Sequence, residues 1–151
     1  MPRKLVIPPV SKRDYEVLIA RLPTLETQLI AWIDAVDKDL VHRNLDLRRG
    51  GAKIYVRRSD RYLHDRFVVT LDVASITIPP KDRGRGWFRN FRRIVEAVNP
   101  WDATYYESVL NPRLDSYFLQ EGLESDDGGY YVMHRPRAES IHKPGRCNVG
   151  P

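Results

Sequence analysis

The sequence predicts an α/β (α+β) fold in which a single domain has a mixed central sheet flanked by helices. Three observations support this prediction. The chain has 151 residues, 42% of them hydrophobic, which is enough for one buried core. Residues 66–78 (RFVVTLDVASITI) carry apolar side chains on both faces, as a central strand does. A glycine turn, a helix, a strand, a helix and a strand then follow in order, which is typical of α/β sheets.

The N-terminal third is expected to hold a short strand and two helices. Residues 5–7 form the strand, which two prolines end. Ser11 and the acidic Asp14 resemble an N-terminal cap, and Pro23 ends that helix near residue 22. A second helix begins near Thr24, because apolar residues then recur at helical spacing: Leu25, Leu29, Ile33, Val36 and Leu40.

Two strands are expected in the middle of the chain, after a turn at Gly50 and Gly51. The first covers residues 53–56 and the second covers residues 66–78. In the second strand the apolar positions change from odd to even numbers: Val69, Leu71 and Val73, then Ile76 and Ile78. One extra residue near Ala74 would produce this change, so we expect a β-bulge there.

The second half of the chain is expected to alternate between helices and strands. A helix that ends at Asn99 is predicted by apolar residues at helical spacing: Trp87, Phe91, Ile94 and Val98. The elements after it are a strand at 103–110, a helix at 112–123 and a strand at 129–135. Residues 136–151 have few apolar side chains and are expected to be a disordered tail, so the domain covers residues 1–135.

The composition favours a soluble protein with an anionic ligand or partner, which a net charge of +5 and a pI near 9.5 suit without identifying it. Cys147 is the only cysteine, so we expect a reducing compartment and a cytoplasmic location. The first ten residues are not apolar enough for a signal peptide, and no stretch approaches the roughly 20 apolar residues of a membrane span. The four histidines lack metal-ligand spacing, so we expect no metal site.

The turn at residues 83–86 (RGRG) lies between a predicted strand and a predicted helix. Glycines there let the backbone approach a ligand closely, and the N-terminus of a helix favours phosphate. Neither common nucleotide signature fits. GxxxxGK is absent, and GxGxxG fails at its third glycine, because Trp87, Phe88 and Arg89 follow Gly86.

The wider stretch ITIPPKDRGRGWFRNF, residues 76–91, resembles the acetyl-CoA motif of the GNAT family of N-acetyltransferases. That motif has alternating hydrophobic residues, a proline, and RGxGx followed by Gly or Ala before a helix. The matching residues are Ile76, Ile78, Pro80, Arg83, Gly84 and Gly86. Phe88 stands where the family has its last small residue. The motif could also be aligned two residues earlier, with its arginine position at Lys81. That alignment would place Arg89 where the helix should have an apolar residue, whereas the alignment from Arg83 places Phe91 there.

The stretch NPRLDSYFLQEGL, residues 111–123, resembles a later GNAT motif. The matching residues are Asn111, Leu114, Tyr117, Gly122 and Leu123, and Phe118 stands at the usual tyrosine position. Together the two motifs make residues 67–134 similar to the family, with a GNAT-like sheet flanked by helices.

This resemblance implies acetyl-CoA as the acetyl donor and a primary amine as the acceptor, which attacks directly without a covalent enzyme intermediate. The backbone of Gly84, Arg85, Gly86, Trp87 and Phe88 would hold the pyrophosphate, and Arg83 would add charge. The main chain of Ile76, Thr77 and Ile78 would pair with the pantetheine arm, which Asn111 would also contact.

Four side chains are candidates for proton transfer. Asp72 and Glu107 each interrupt an apolar strand, where a charge is costly unless it is paired or functional. Glu107 is the preferred base, because it follows the glycine-turn helix and has apolar neighbours, whereas Asp72 lies roughly 20 Å before Ile78 at ~3.3 Å per residue. Since Phe118 has no proton to give, either the thiolate leaves without a protein acid, or Tyr117 or Ser116 protonates it.

The acceptor is open from sequence alone, since a basic surface permits an acidic protein or an amine-modified nucleic acid. The alternative function is a non-catalytic module, either GNAT-like or arginine-rich, that binds nucleic acid or protein through residues 83–93 (RGRGWFRNFRR). Periodicity instead favours Trp87 and Phe91 as core residues, and Arg92 and Arg93 as a solvated helix face.

Overall fold

The computed structural model describes residues 10–82, 86–107 and 112–134 of the chain. Four of the features expected from the sequence lie outside these ranges. They are the strand at residues 5–7, most of the glycine turn (Arg83, Gly84 and Arg85), Asn111, and the tail at 136–151 with the domain boundary before it.

The described residues form one mixed sheet with helices packed against it, as predicted. The helices are α1 (Lys12–Ala20), α2 (Leu25–Val36), α3 (Trp87–Val98) and α4 (Pro112–Gln120). The strands are β1 (Asn44–Arg49), β2 (Ala52–Leu63), β3 (Arg66–Thr77), β4 (Ala103–Glu107), β5 (Glu124–Ser125) and β6 (Gly129–Met133). Their order in the sheet is β1-β2-β3-β4-β6-β5. β3 and β4 are parallel, and the other neighbouring pairs are antiparallel.

The two N-terminal helices begin at the residues that the sequence predicts. The Ser11 hydroxyl accepts a hydrogen bond from the Asp14 backbone N–H at 3.1 Å. Thr24 and Thr27 cap α2 reciprocally, each side chain accepting from the other's backbone N–H. These caps satisfy N–H groups that have no partner inside the helix, and so fix where each helix starts. α2 ends at Val36, earlier than expected from the apolar spacing.

β2 is much longer than the predicted strand at residues 53–56, and β1 was not predicted. The second half of β2 is rich in charged residues (RRSDRYL), which the propensity of single residues does not favour in a sheet. Arg57 and Arg61 nevertheless fit in this strand, because Asp72 on β3 accepts hydrogen bonds from both. A two-residue turn, in which His64 and Asp65 both have positive φ, joins β2 to β3.

The predicted bulge in β3 is confirmed. Tyr55 on β2 pairs with Ser75, and the next residue, Val56, pairs with Val73, so Ala74 is the extra residue. The bulge changes the alternation of side chains, so that Val73 and Ile76 both pack on the main core.

The sheet has two unlike faces. On one, which we call the helix face, β-strand residues such as Leu71 and Val73 pack in a single apolar cluster to which α1, α2, α3 and α4 all contribute. On the other, the polar face, the apolar cluster consists of strand residues alone: Leu63, Val68, Ala103, Tyr105 and Tyr131. The alternation of strand side chains also places Arg57, Arg61 and Asp72 on the polar face.

Candidate functional site

The predicted site is built on the β3–α3–β4 unit. Because β3 and β4 are parallel, their carboxyl ends meet at one edge of the sheet, where ligands commonly bind in α/β folds. The two strands pair from Thr70 with Ala103 to Val73 with Tyr106. β3 continues to Thr77, and within the described ranges its residues 74–77 have no strand partner on the β4 side. A ligand's polar chain could therefore lie along that edge.

Gly86 caps the N-terminus of α3 in the left-handed conformation, with φ of 72°. A Cβ atom placed on Gly86 would find no atom of the described residues within 4 Å. Among those residues no side chain caps α3, so the first N–H groups of the helix have no side-chain acceptor there. This arrangement suits a phosphate group.

The aromatic residues that follow Gly86 belong to the core. Trp87 stacks on Phe91 with ring centroids 5.0 Å apart, and Phe91 is completely buried. The Phe88 ring makes edge contacts with Tyr106, Tyr117 and Phe118. The prediction of core positions for Trp87 and Phe91 is thus confirmed. The backbone N–H groups of Trp87 and Phe88, in the first turn of α3, are the groups that a ligand at Gly86 would meet.

The three neighbouring residues Ser116, Tyr117 and Phe118 of α4 differ in their surroundings. Phe118 is 1% exposed and stacks between Tyr106 and Tyr130 in the core. The Tyr117 hydroxyl accepts a hydrogen bond from Arg92 Nη1 at 3.1 Å, so its own proton is left for a further acceptor. Ser116 is exposed to solvent.

A second set of polar groups, which we call the α3–α4 network, joins these two helices. Arg92 Nε bonds Glu96 at 2.6 Å and Arg92 Nη1 bonds Glu121 at 2.9 Å. The side chain of Arg92 is only 13% exposed, so the prediction of a solvated position is wrong for Arg92. Burial, and then the Glu96 carboxylate, raise the pKa of the Tyr106 hydroxyl, which donates to Glu96 at 2.5 Å.

On the polar face, four side chains form what we call the arginine–carboxylate cluster: Arg57, Arg61, Asp72 and Glu107. Asp72 is fully buried. Its carboxylate accepts hydrogen bonds from Arg57 Nη2 at 3.0 Å and Arg61 Nη2 at 2.8 Å, and also from the hydroxyls of Ser59 and Thr70, both at 2.7 Å. A buried carboxylate so fully bonded is a structural anchor for the two guanidinium groups.

Glu107 lies at the exposed side of this cluster, with 27% of its side chain accessible. One of its oxygens, Oε2, accepts from Arg57 Nη2 at 2.5 Å and from Arg61 Nη2 at 2.9 Å. The expected apolar surroundings of Glu107 are therefore wrong. The two candidate bases lie close together, because Asp72 pairs with Tyr105, only two residues before Glu107. Burial distinguishes them instead: solvent reaches Glu107 and does not reach Asp72.

The two guanidinium groups are charged and held in place. Partial burial opposes the charge on Arg57, but hydrogen bonds to Glu107 and Asp72 outweigh it and raise the pKa. Burial likewise opposes the charge on Arg61, whose pKa is raised by its bonds to Asp72 and Glu107. Arg61 also lies over the Tyr105 ring, 3.6 Å from the ring centroid. Burial, then Asp126, raise the pKa of the Tyr105 hydroxyl, which donates to Asp126.

Sequence reasoning missed Arg57, Ser59 and Arg61. Their alternate spacing in the chain is a signal that all three point to one face of a strand. It could be recognised only with β2 extended through residue 61, and the charges themselves argued against that extension.

No family model matches this chain, and no curated protein matches it. Solved structures that match part of it include a mutant of the AtaT toxin bound to the C-terminus of the antitoxin AtaR and to acetyl-CoA. That match has 11% identity and a TM-score of 0.44, over 54% of this chain and 57% of the other. The KacTA–DNA complex matches with 14% identity and a TM-score of 0.43, over 55% and 57%. The chain thus spans less than two thirds of those proteins, and likenesses this distant assign it neither a family nor an activity.

Neither a membrane-spanning helix nor a metal site occurs in the part of the chain that the structure describes. The longest helices there, α2 and α3, have 12 residues each, and none has the length and apolar character to cross a bilayer. Among the same residues, no three side chains of His, Cys, Asp or Glu come together so that they could hold a metal ion.

Proposed function

We propose that this chain is a GNAT-like N-acetyltransferase that transfers the acetyl group of acetyl-CoA to a primary amine by direct attack. One observation carries the proposal. Ile76 and Thr77 of the GNAT-like motif lie at the end of β3, which has no strand partner on the β4 side among the described residues, and Gly86 lies at the N-terminus of α3, where such a motif would have to act.

The described residues at this place fit acetyl-CoA. Gly86 leaves open space where any other residue would have a side chain, and the uncapped N–H groups of α3 suit a pyrophosphate. The β4 side of β3 at Ile76 and Thr77, where no described strand pairs with it, suits the amide groups of the pantetheine arm. We expect Arg83, Arg85 and Asn111 to complete the binding site. Acetyl-CoA would supply an activated acetyl thioester.

Glu107 is the proposed base. An alkyl ammonium must lose a proton before the nitrogen can attack, and a carboxylate can take it directly or through one water. Arg57 and Arg61 both hold Oε2, so Oε1 is the atom that would accept the proton. The two arginines would orient the carboxylate, which preserves the geometry of attack.

Tyr117 is the proposed acid for the departing thiolate. Its hydroxyl already accepts from Arg92, so its proton is free to be donated elsewhere. Ser116 is the other candidate, and its exposure makes it a weaker one, since water could do the same work. Phe118 cannot take part, because it is in the core and carries no proton to give.

A second candidate function is a non-catalytic binding module with the same fold. Two observations favour it: Phe118 is at the tyrosine position of the family motif, and Glu107 is already engaged by two arginines. Exposed Arg89 and Arg93 on α3 would then serve an anionic partner such as a nucleic acid. Binding to nucleic acid would weaken steeply with salt, whereas an acetyltransferase would bind acetyl-CoA at moderate salt.

Two glycine variants test the cofactor site. Gly86 and Gly122 both have positive φ (72° and 79°), and a Cβ atom on either would have no described atom within 4 Å. Alanine should therefore strain both backbones alike, by about 1–2 kcal/mol. Only Gly86→Ala should weaken acetyl-CoA binding, by at least about tenfold in isothermal titration, and Gly86→Val should weaken it further. Equal affinities in Gly86→Ala and Gly122→Ala would contradict the assignment.

A further inference from the structure

The arginine–carboxylate cluster has more hydrogen-bonding capacity than its own members use. Asp72 accepts through both oxygens from Arg57, Arg61, Ser59 and Thr70, at distances of 2.7 to 3.3 Å. This anchor is completely buried, so both guanidinium groups are held at fixed positions on the polar face.

Each guanidinium keeps one amino group unused. Nε and Nη2 of Arg57 and of Arg61 all bond members of the cluster or Ser59, but Nη1 of either arginine has no partner among the described residues. The two side chains are 30% and 21% exposed, so a ligand can reach them. Each of these two charged groups therefore has two N–H donors without a partner among the described residues.

Such a pair is suited to an oxyanion. Guanidinium groups bind carboxylate and phosphate with charge-assisted hydrogen bonds and a matching planar geometry. An exposed arginine usually loses side-chain freedom when it binds, but here Asp72 has already ordered Arg57 and Arg61, so that cost is small. The cluster contains two positive and two negative groups, so an anion at Nη1 meets no excess of negative charge.

The carboxylate oxygen Oε1 of Glu107, beside the two arginines, attracts cations rather than anions. Glu107 Oε2 is held by both arginines, while Oε1 has no partner within the described ranges and the side chain is 27% exposed. An ammonium group would bind at Oε1 while an oxyanion binds at Nη1 of the arginines. The two positions belong to side chains in direct contact, so one small molecule could occupy both.

We propose that Arg57 and Arg61 bind an oxyanion of the acceptor, which is a small amine carrying a carboxylate or phosphate group a few bonds from its nitrogen. This inference rests on the proposed acetyl transfer for the role of the amine, but the oxyanion site itself does not depend on it. Glu107 receives the ammonium end, and the two arginines determine specificity.

The first experiment tests the site without any reaction. Inorganic phosphate is titrated into the protein, and the arginine side-chain NH signals are followed by NMR. The wild type should show chemical-shift changes that saturate with phosphate. The affinity for phosphate should fall at least tenfold in Arg57→Lys and in Arg61→Lys, which keep the positive charge but lose the planar guanidinium group with its paired N–H donors. Arg48→Lys is the matched control, because Arg48 lies on the same face, is 64% exposed and lies outside the cluster. Unchanged affinity in both cluster variants would overturn the proposal.

The second experiment tests specificity in the wild type, and so remains decisive if a cluster variant fails to fold. The kcat/KM for acetyl transfer is compared for O-phosphoethanolamine against ethanolamine and for 4-aminobutanoate against butylamine. We expect at least a tenfold preference for the anionic member of one pair, and which pair shows it distinguishes phosphate from carboxylate. Equal values within both pairs would contradict the proposal. Acetylation of none of the four amines would count against the proposed function, while the phosphate titration would still decide whether the oxyanion site exists.

Discussion

The two arginine networks of this protein use the same chemistry for different ends. In the α3–α4 network, Arg92 lies between two helices and bonds Glu96, Tyr117 and Glu121, with 13% of its side chain exposed. In the arginine–carboxylate cluster, the guanidinium groups lie on strand β2 and are 30% and 21% exposed. The first network joins elements of the fold. The second has a buried anchor on one side and accessible groups on the other, which is what a binding site requires.

The largest expected effect is on kcat, and it distinguishes the two networks. Glu107→Gln keeps the shape of the side chain and removes its basicity. At neutral pH kcat should fall by about 10²–10⁴-fold, and much of the loss should be recovered at high pH, where the amine loses its proton unaided. Glu121→Gln makes the same change in the α3–α4 network and should leave kcat within about twofold. Wild-type turnover by Glu107→Gln at every pH would show that Glu107 is not the base.

The next effect concerns stability and distinguishes the two carboxylates of the cluster. Asp72→Asn removes the charged partner of Arg57 and Arg61 at a fully buried position, and should lower the free energy of unfolding by about 3–5 kcal/mol. Glu107→Gln, at a partly exposed position, should cost less than about 1 kcal/mol. Urea denaturation measures both. If the two variants are equally stable, Asp72 is not the anchor that we describe.

A smaller effect is expected at Tyr117, where the α3–α4 network meets the proposed chemistry. Tyr117→Phe removes the hydrogen bond from Arg92 and should lower the free energy of unfolding by about 1 kcal/mol. It should also slow turnover, because the thiolate would lose its proton donor. The slowing should be only about tenfold, since a thiolate leaves without a proton more readily than an alkoxide does.

The smallest effect is expected at Ser116, which serves as the control for Tyr117. Ser116→Ala should change neither stability nor turnover measurably, since Ser116 is exposed on the same helix. Steady-state release of free thiol from acetyl-CoA compares the two variants. Normal turnover in both would mean that neither side chain protonates the thiolate.

The contrast between the networks also explains which features were predictable. Local signals were enough for the cap at Ser11, the end of α3 at Asn99 and the bulge at Ala74, because each depends on residues adjacent in the sequence. The extent of β2 was not predictable, because the strand is stabilised by contacts between Arg57 and residues 15 and 50 positions away.

The candidate site was predictable to a similar degree. The motif residues located the end of β3 and the start of α3, and Asp72 and Glu107 were recognised as unusual in apolar strands. That both carboxylates share the same two arginines depends on the pairing of β2, β3 and β4, which no local pattern specifies. Arg92 was misjudged for the same reason, since its partners Tyr117 on α4 and Glu121 just after it are distant in the sequence.

The most direct test of the central claim is the melting temperature of the wild-type protein as acetyl-CoA is added. A ligand at 100 times its Kd stabilises the folded state by ≈ 2.7 kcal/mol, which for a domain of this size corresponds to a rise of roughly 5–10 °C. Free ethanolamine at the same concentrations is the control and should have no effect. We predict a rise that continues to grow with the concentration of acetyl-CoA and that Gly86→Ala reduces and Gly122→Ala does not. No rise in the wild type at millimolar acetyl-CoA would contradict the account.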